Sequence, residues 1–540
     1  MKKSISVILS IAVVFGSLAL LSVLAGAAQG RSYYIDSALG NDLNSGTSPK
    51  SAWKSIENLK GLSLGAGDKV LFKRGGTYNC ELTLTCSGTK ENPIIISAYG
   101  EGNKPVLTTD SKTEVLRLFD CSYITVEDIE LTAHNGGGIW IDTLEKTSYG
   151  ISICNVAMHD IQNYKVNSRD NLGAGAAAAR ACVMVKGLPS HSRYAVNDLT
   201  ISNCEMYDCG NGISIWGSWN DEQTPWCENE SDIDPVFNEG VLVEYCDFHD
   251  MDAEAIIVGM CNGALVTHCR SINCCQGEGT DENGKVLYYT AAMWFWGSVN
   301  STIEYCEIAG QKNVGDGMAV DFDSYTHNCT YQYIYSHDNT RFMCNCPNYS
   351  GHHNNTVRYC LSVNDNRGRS SMAGSAGEHG FRFYNNTLVN CGELQMNNVH
   401  DALIANNIFV LAEGATIAYD VDAPFKNVTF TNNCYYNYLN PAFDLNSVNC
   451  LPGFVSENTG DKNSFILSAD SPLIGAGIKI NDGLTEDFFG NELDSCNIGC
   501  YSGTGAEAEE YQPESGFGMI VRYIVNIFKF LYHEISVIID

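Results

Sequence analysis

The chain is poor in positive charge. Its 540 residues hold 32 Lys and Arg against 63 Asp and Glu, a formal net charge of −31. Phosphate neutralisation demands Lys and Arg, so this deficit argues against a nucleic-acid partner and against docking of the body on anionic lipid. The acidic exterior is compatible with solubility and with cation binding. An acidic substrate on such a protein requires a local basic patch or a bridging metal ion. Metal-site spacing is also missing: there is no paired Cys-x-x-Cys and no Cys/His ligand pattern. Long apolar runs are absent from the body as well. The one such run, Ile5 to Ala25, follows Lys2 and Lys3 and precedes Ala25-Gly26-Ala27. Residues 1–30 therefore read as an export signal, with an uncleaved membrane anchor as the alternative for so long a run. Either way the body is expected outside the cell, secreted or held at the cell surface.

What the chain does have is a repeat. Val243-Glu244-Tyr245-Cys246, Val266-Thr267-His268-Cys269 and Ile303-Glu304-Tyr305-Cys306 share one pattern with earlier and later segments, at a common step of 21–28 residues. That step is too short for a propeller blade and carries no helical stripe. Each unit holds short strands broken by Gly, Asn and Asp, and none can bury its apolar face alone, so the units must stack. The expected fold is all-β, a right-handed parallel β-helix (solenoid). The fourth position of the pattern forms a ladder: Cys154, Cys204, Cys246, Cys269, Cys306 and Cys360, then Asn386, Asn407 and Asn433. Exported proteins usually pair their cysteines, and the total here is an odd 23. Repetition in successive units instead makes the ladder thiols small interior hydrophobes. Stacked Asn at turns can hydrogen-bond along the column.

The layout follows. Residues 31–120 form an N-terminal cap with the first rungs, where Trp53, Ile56 and Leu59 fall at the spacing of a short amphipathic helix. The repeat domain is 121–501, with 463–501 expected to finish the coil. Residues 502–515 are an acidic linker. Residues 516–540, with Ile520, Tyr523, Ile524, Ile527, Phe528 and Leu531 on one stripe, are expected to form a short C-terminal amphipathic helix. It is too charged to span a bilayer, and lies either on a membrane surface or on the open end of the solenoid.

Particular residues carry a resemblance. Tyr33-Tyr34-Ile35-Asp36, Gly40-Asn41-Asp42 and Ser45-Gly46-Thr47-Ser48-Pro49, with the stretch from Gly67 to Pro105, resemble the start of secreted right-handed β-helix proteins. The rungs over 33–501 resemble the pectate-lyase-like superfamily. That resemblance implies polysaccharide lyases, polygalacturonases and related glycosidases, and also non-catalytic surface proteins and adhesins. No complete active-site signature of one such family is present.

In a solenoid, what recurs is scaffold and what breaks the pattern is a candidate site. His159-Asp160, His249-Asp250 and His337-Asp338 recur at one turn and read as turn-forming acids. A second strand per rung is less regular. Alternation in Met293-Trp294-Phe295-Trp296 and Val320-Asp321-Phe322-Asp323 sends Trp294, Trp296, Asp321 and Asp323 outward, with Trp216 on a neighbouring rung. Outward Trp suits sugar rings, whose C–H faces pack on indoles; inserted loops at 218–239 and 273–289 are the other cover for them. Asp321 and Asp323, beside Asp316 and near Arg341, lie roughly 7 Å apart by strand rise. That separation suits an inverting glycoside hydrolase, and equally a Ca²⁺ site. The candidate catalytic residues are thus Asp321, Asp323, Asp316 and Arg341, and the candidate substrate-binding residues Trp216, Trp294, Trp296 and Lys186. The expected function is cleavage of a polysaccharide outside the cell, by hydrolysis with paired Asp and no cofactor, or by Ca²⁺-assisted β-elimination with a Lys or Arg base. The alternative is a non-catalytic glycan-binding or adhesion protein. The partner expected is a polysaccharide or glycan, and the chain is expected to be a monomer.

Overall fold

The computed structural model describes residues 30–161, 181–186, 193–218, 235–277, 290–312, 317–345, 353–372, 379–396, 400–418, 425–438, 441–456 and 458–508. Among them, the strands form three long sheets of 14, 12 and 13 strands, with two further two-stranded sheets. Successive strands go to different sheets, and the chain returns to each sheet one rung further on. Ile124–Glu127, Ile151–Cys154, Thr200–Ser202 and Leu242–Glu244 are consecutive parallel neighbours in the 14-stranded sheet. This is a parallel β-helix. The expected signal, the tail and most of the linker (1–29 and 509–540) lie outside the described residues.

Strand alternation builds the interior. Ile153, Ile201, Val243, Val266 and Ile303 are lateral partners on consecutive rungs and are fully buried. Fully burying one such side chain contributes about 1.5–3 kcal/mol. Repeating it at every rung makes the coil cooperative along its axis.

The Cys column lies within the coil. Cys204, Cys246, Cys269 and Cys306 each follow by two residues a set of lateral partners, Ser202, Glu244, Thr267 and Glu304. Each thiol points inside and donates to the carbonyl two residues back, at 3.2–3.4 Å. All four are free thiols, and burial pushes the Cys360 thiol in the same column up to about 12. Cys154 does not belong to the ladder: it pairs with Ser202 and Glu127, and Val156 takes the interior place. Ile151 and Ile153 both face inward, so the pattern fits that segment in two settings two residues apart. The Asn continuation holds. The amide N–H groups of Asn386 and Asn407 each donate to the side-chain oxygen of the next Asn at 3.0 Å.

A one-residue left-handed corner joins the 14-stranded to the 13-stranded sheet. Asp128, Asn155 and Asn203 occupy it at φ 58°, 52° and 53°, as short polar side chains tolerate that region. Tyr305, Tyr333 and Tyr359 take the same corner at φ 50–55°, where bulky residues are strained. A C-terminal strap explains them. The Tyr305 hydroxyl donates to Glu486 Oε1 at 2.6 Å, Tyr333 to the Glu486 carbonyl at 2.8 Å and Tyr384 to Asp482 Oδ2 at 2.8 Å. Residues 463–501 therefore lie outside the coil, over the corner and the flanking 14- and 13-stranded sheets, and add no strand to the three long sheets. Their apolar side chains cover tyrosines, which a reading for further strands does not distinguish from core.

The cap also differs in detail. Trp53, Ile56 and Leu59 are all buried, yet Trp53 is bridged to Ile35 and stacked on Tyr33 at 5.4 Å, and only Glu57–Leu59 turns as a 3-10 helix.

Candidate functional site

The outer face of the 12-stranded sheet departs from the scaffold pattern. Its consecutive strands include Ile139–Asp142, Ala181–Val185, Asn211–Ile215, Ile256–Gly259, Ala291–Trp296, Met318–Phe322 and Arg341–Asn345. Val183, Ile213, Ile256, Met293 and Val320 face the core. Alternation turns the residues between them outward. One outward row runs Trp140, Met184, Ser214, Ile257, Trp294, Asp321. Two residues further along, Gly259 pairs with Trp296, Asp142 ends its strand, and Lys186, Trp216 and Asp323 each directly follow theirs.

These positions hold an apolar cluster separate from the interior, formed by Met184, Trp216, Ile257 and Trp296, with Trp140 and Trp294 against it. Trp216 packs edge-to-face on Trp296 at 5.5 Å and on Trp294 at 6.2 Å. Trp216 and Trp296 are only 2% and 5% exposed, whereas Trp294 is half-buried. Both rings stand on the expected face, but their mutual packing leaves Trp294 as the indole with open surface. Trp140 joins it in the same row. The alternation of Ile139-Trp140-Ile141-Asp142 carries the same signal as the later rungs and could have found it. Three indole N–H groups, of Trp140, Trp216 and Trp294, and the Ser214 hydroxyl are buried without a hydrogen-bond partner among the described residues. Buried polar groups are normally paired, so these four are exceptions to the usual pattern.

The acids stand at one end of this face. Asp321 is the lateral partner of Trp294 on one side and of Cys344 on the other. From inside the coil the Tyr331 hydroxyl donates to the Asp321 carbonyl at 2.6 Å, which fixes the backbone. Asp323 Oδ1 accepts the Ser324 amide at 2.7 Å and the Ser324 hydroxyl at 3.2 Å, which orients that carboxylate. Arg341 lies on the next rung, paired in register with Met318. Asp316 lies outside the described residues. Lys186 is set apart, several strands away beside Trp216. It is fully buried in a left-handed conformation (φ 51°) and donates to the Tyr194 carbonyl. Burial lowers its ammonium to about 8, against the opposing pull of Asp142. Asp142 is raised by burial in turn, although its Oδ1 accepts the Thr143 amide at 2.9 Å.

The recurrent His-Asp pairs behave as scaffold. Asp160, Asp250 and Asp338 hold left-handed turns and accept from their own His at 2.8, 3.0 and 2.9 Å. Among the described residues no three His, Cys, Asp or Glu side chains gather closely enough to hold a metal ion.

The sheets define a parallel β-helix with one exceptional outer face. No family model matches the chain. It is 23% identical over 512 residues to a lacto-N-biosidase of Bifidobacterium longum subsp. longum, covering 78% of this chain and 31% of that protein. The chain thus spans about a third of its relative's length. Among solved structures, a GH136 lacto-N-biosidase from Eubacterium ramulus superposes with a TM-score of 0.49 at 19% identity, covering 79% of this chain and 68% of the other. A complex of XylC with xylose gives a TM-score of 0.49 at 10% identity, covering 88% and 99%.

Proposed function

We propose that this chain is a carbohydrate-active enzyme acting outside the cell, which hydrolyses a glycosidic bond at Asp321 and Asp323 without a cofactor. The observation that carries the reading is the adjacency of an open indole and a carboxylate, Trp294 and Asp321, on the outer face of the 12-stranded sheet. The sugar ring stacks on the open surface of Trp294, beside the Asp321 carboxylate. Hydrolysis needs one carboxyl to protonate the leaving oxygen and one to activate water. The two positions, roughly 7 Å apart by strand rise, leave room for that water. Arg341 on the next rung is assigned to holding the negative charge of the pair. The lacto-N-biosidase relative supports a glycosidase over a purely adhesive protein.

A second reading rests on Lys186. Burial lowers its ammonium to about 8, the direction a general base needs, and β-elimination of a uronate-bearing chain would require this fully buried amine to be uncovered. Incubation with a panel of glycans separates these readings. New reducing ends without absorbance near 235 nm mean hydrolysis, and absorbance there means elimination. Binding without either product means an adhesive protein and overturns the proposal.

A further inference from the structure

Arg117 stands in the same outward row as Asp321. It is the lateral partner of Trp140, and six strand pairings lead from it through Trp140, Met184, Ser214, Ile257 and Trp294 to Asp321. At ~4.8 Å per strand, the two positions are about 29 Å apart along the coil.

The Arg117 guanidinium lies 4.5 Å from the centre of the Trp140 ring and 5.9 Å from that of Phe119. A guanidinium against aromatic rings keeps its N–H edge available for a planar oxyanion. Its Nε is buried without a hydrogen-bond partner among the described residues, as is the Trp140 Nε1. Arg31, Arg74, Arg270 and Arg358 are each ion-paired with a carboxylate, whereas Arg382 also lies over a ring, that of Tyr384, but on the 14-stranded sheet. The carboxyls that sense Arg117 are Glu114 and Asp142; burial raises the pKa of each, and Arg117 pulls both the other way. In a chain of net charge −31, a cation held on rings is a placed cation.

We propose that Arg117 and Trp140 form a distal subsite for an anionic unit of the glycan, bearing a carboxylate or a sulfate. This rests on the reading of the face as a glycan site, and narrows it to an acidic glycan long enough to run from Arg117 to Asp321. The two terminal nitrogens of the guanidinium give the oxyanion two parallel N–H bonds. The subsite supplies the local positive charge that an acidic substrate needs on an acidic protein.

The test is calorimetric binding at low salt of three length-matched oligosaccharides: neutral, uronate-bearing and sulfated. Wild type is expected to bind one anionic probe at least tenfold tighter than the neutral one, and the probe that gains names the oxyanion. Arg117→Met is expected to erase the preference, and Arg117→Lys to keep part of it. Equal affinities in wild type, or a preference that survives in Arg117→Met, overturn the subsite. Trp294→Ala reports on the face separately. If it binds all three probes as wild type does while the Arg117 preference holds, the face reading fails and the subsite stands. If no probe binds wild type, both fall.

Discussion

Trp294 and Asp321 are lateral partners on adjacent parallel strands, with both side chains on the outer face of the 12-stranded sheet. The indole and the carboxylate are thereby carried one strand spacing, ~4.8 Å, apart.

The indoles divide by burial. Trp294→Ala removes open stacking surface and is expected to weaken glycan binding by ~1–3 kcal/mol with a small change in Tm. Trp216→Ala and Trp296→Ala remove packed rings and are expected to cost about 3–5 kcal/mol of stability. Glycan titrations beside thermal melts check both. A Trp294→Ala protein that melts early and binds normally contradicts the assignment.

The coil itself was legible because its period repeats. Val243, Val266 and Ile303 announce a column, and Cys246, Cys269 and Cys306 announce the next one. The outward Trp and Asp were legible by alternation alone. Three things were not. Cys154 was set two residues out of register, since a period-two pattern fits its segment in two ways. The strap over Tyr305, Tyr333 and Tyr384 carries apolar residues without strand pairing, so its apolar runs looked like more coil. The burial of Trp216 and Trp296 involves rings on different rungs meeting, with Met260, and Phe237 of the inserted segment, in the same cluster, which no single segment encodes.

The interior thiols are scaffold. Single Cys→Ala changes at Cys204, Cys246, Cys269 or Cys306 are expected to cost about 1 kcal/mol each and to leave turnover intact. In the native protein these four thiols should resist a thiol reagent, and they should react once urea unfolds the chain. Fast labelling of the folded protein at these positions would place them outside the coil.

Acid sensitivity has an identified source on the 13-stranded sheet. Hydrogen bonds from His337 and Arg270 hold the Glu307 carboxyl down at about 2, below its ordinary 4.5. A depressed carboxyl stabilises the fold above its unfolded value and loses that contribution as pH falls through the folded one. Wild-type Tm is therefore expected to fall between pH 4.5 and 2. Glu307→Gln is expected to start lower and show a shallower fall over the same window. Parallel melting curves for the two proteins are sinking evidence for this source of acid lability.

The turn acids supply the control. Asp250 holds a left-handed turn at φ 53° and accepts from His249 at 3.0 Å and Asn273 at 3.2 Å. Asp250→Ala is expected to cost ~1–2 kcal/mol of stability with catalysis unchanged, as read by denaturant melts and turnover side by side. Loss of turnover in a folded Asp250→Ala protein would move the chemistry to the turn column.

The central claim is that Asp321 and Asp323 carry the chemistry. The measurement is the release of reducing ends from a cleaved glycan by wild type, Asp321→Asn and Asp323→Asn, with Tm recorded for each. Each carboxyl acts as an acid or a base, so each variant is expected to lose at least ~10²-fold in kcat while keeping the wild-type Tm. Wild-type turnover in both variants contradicts the account.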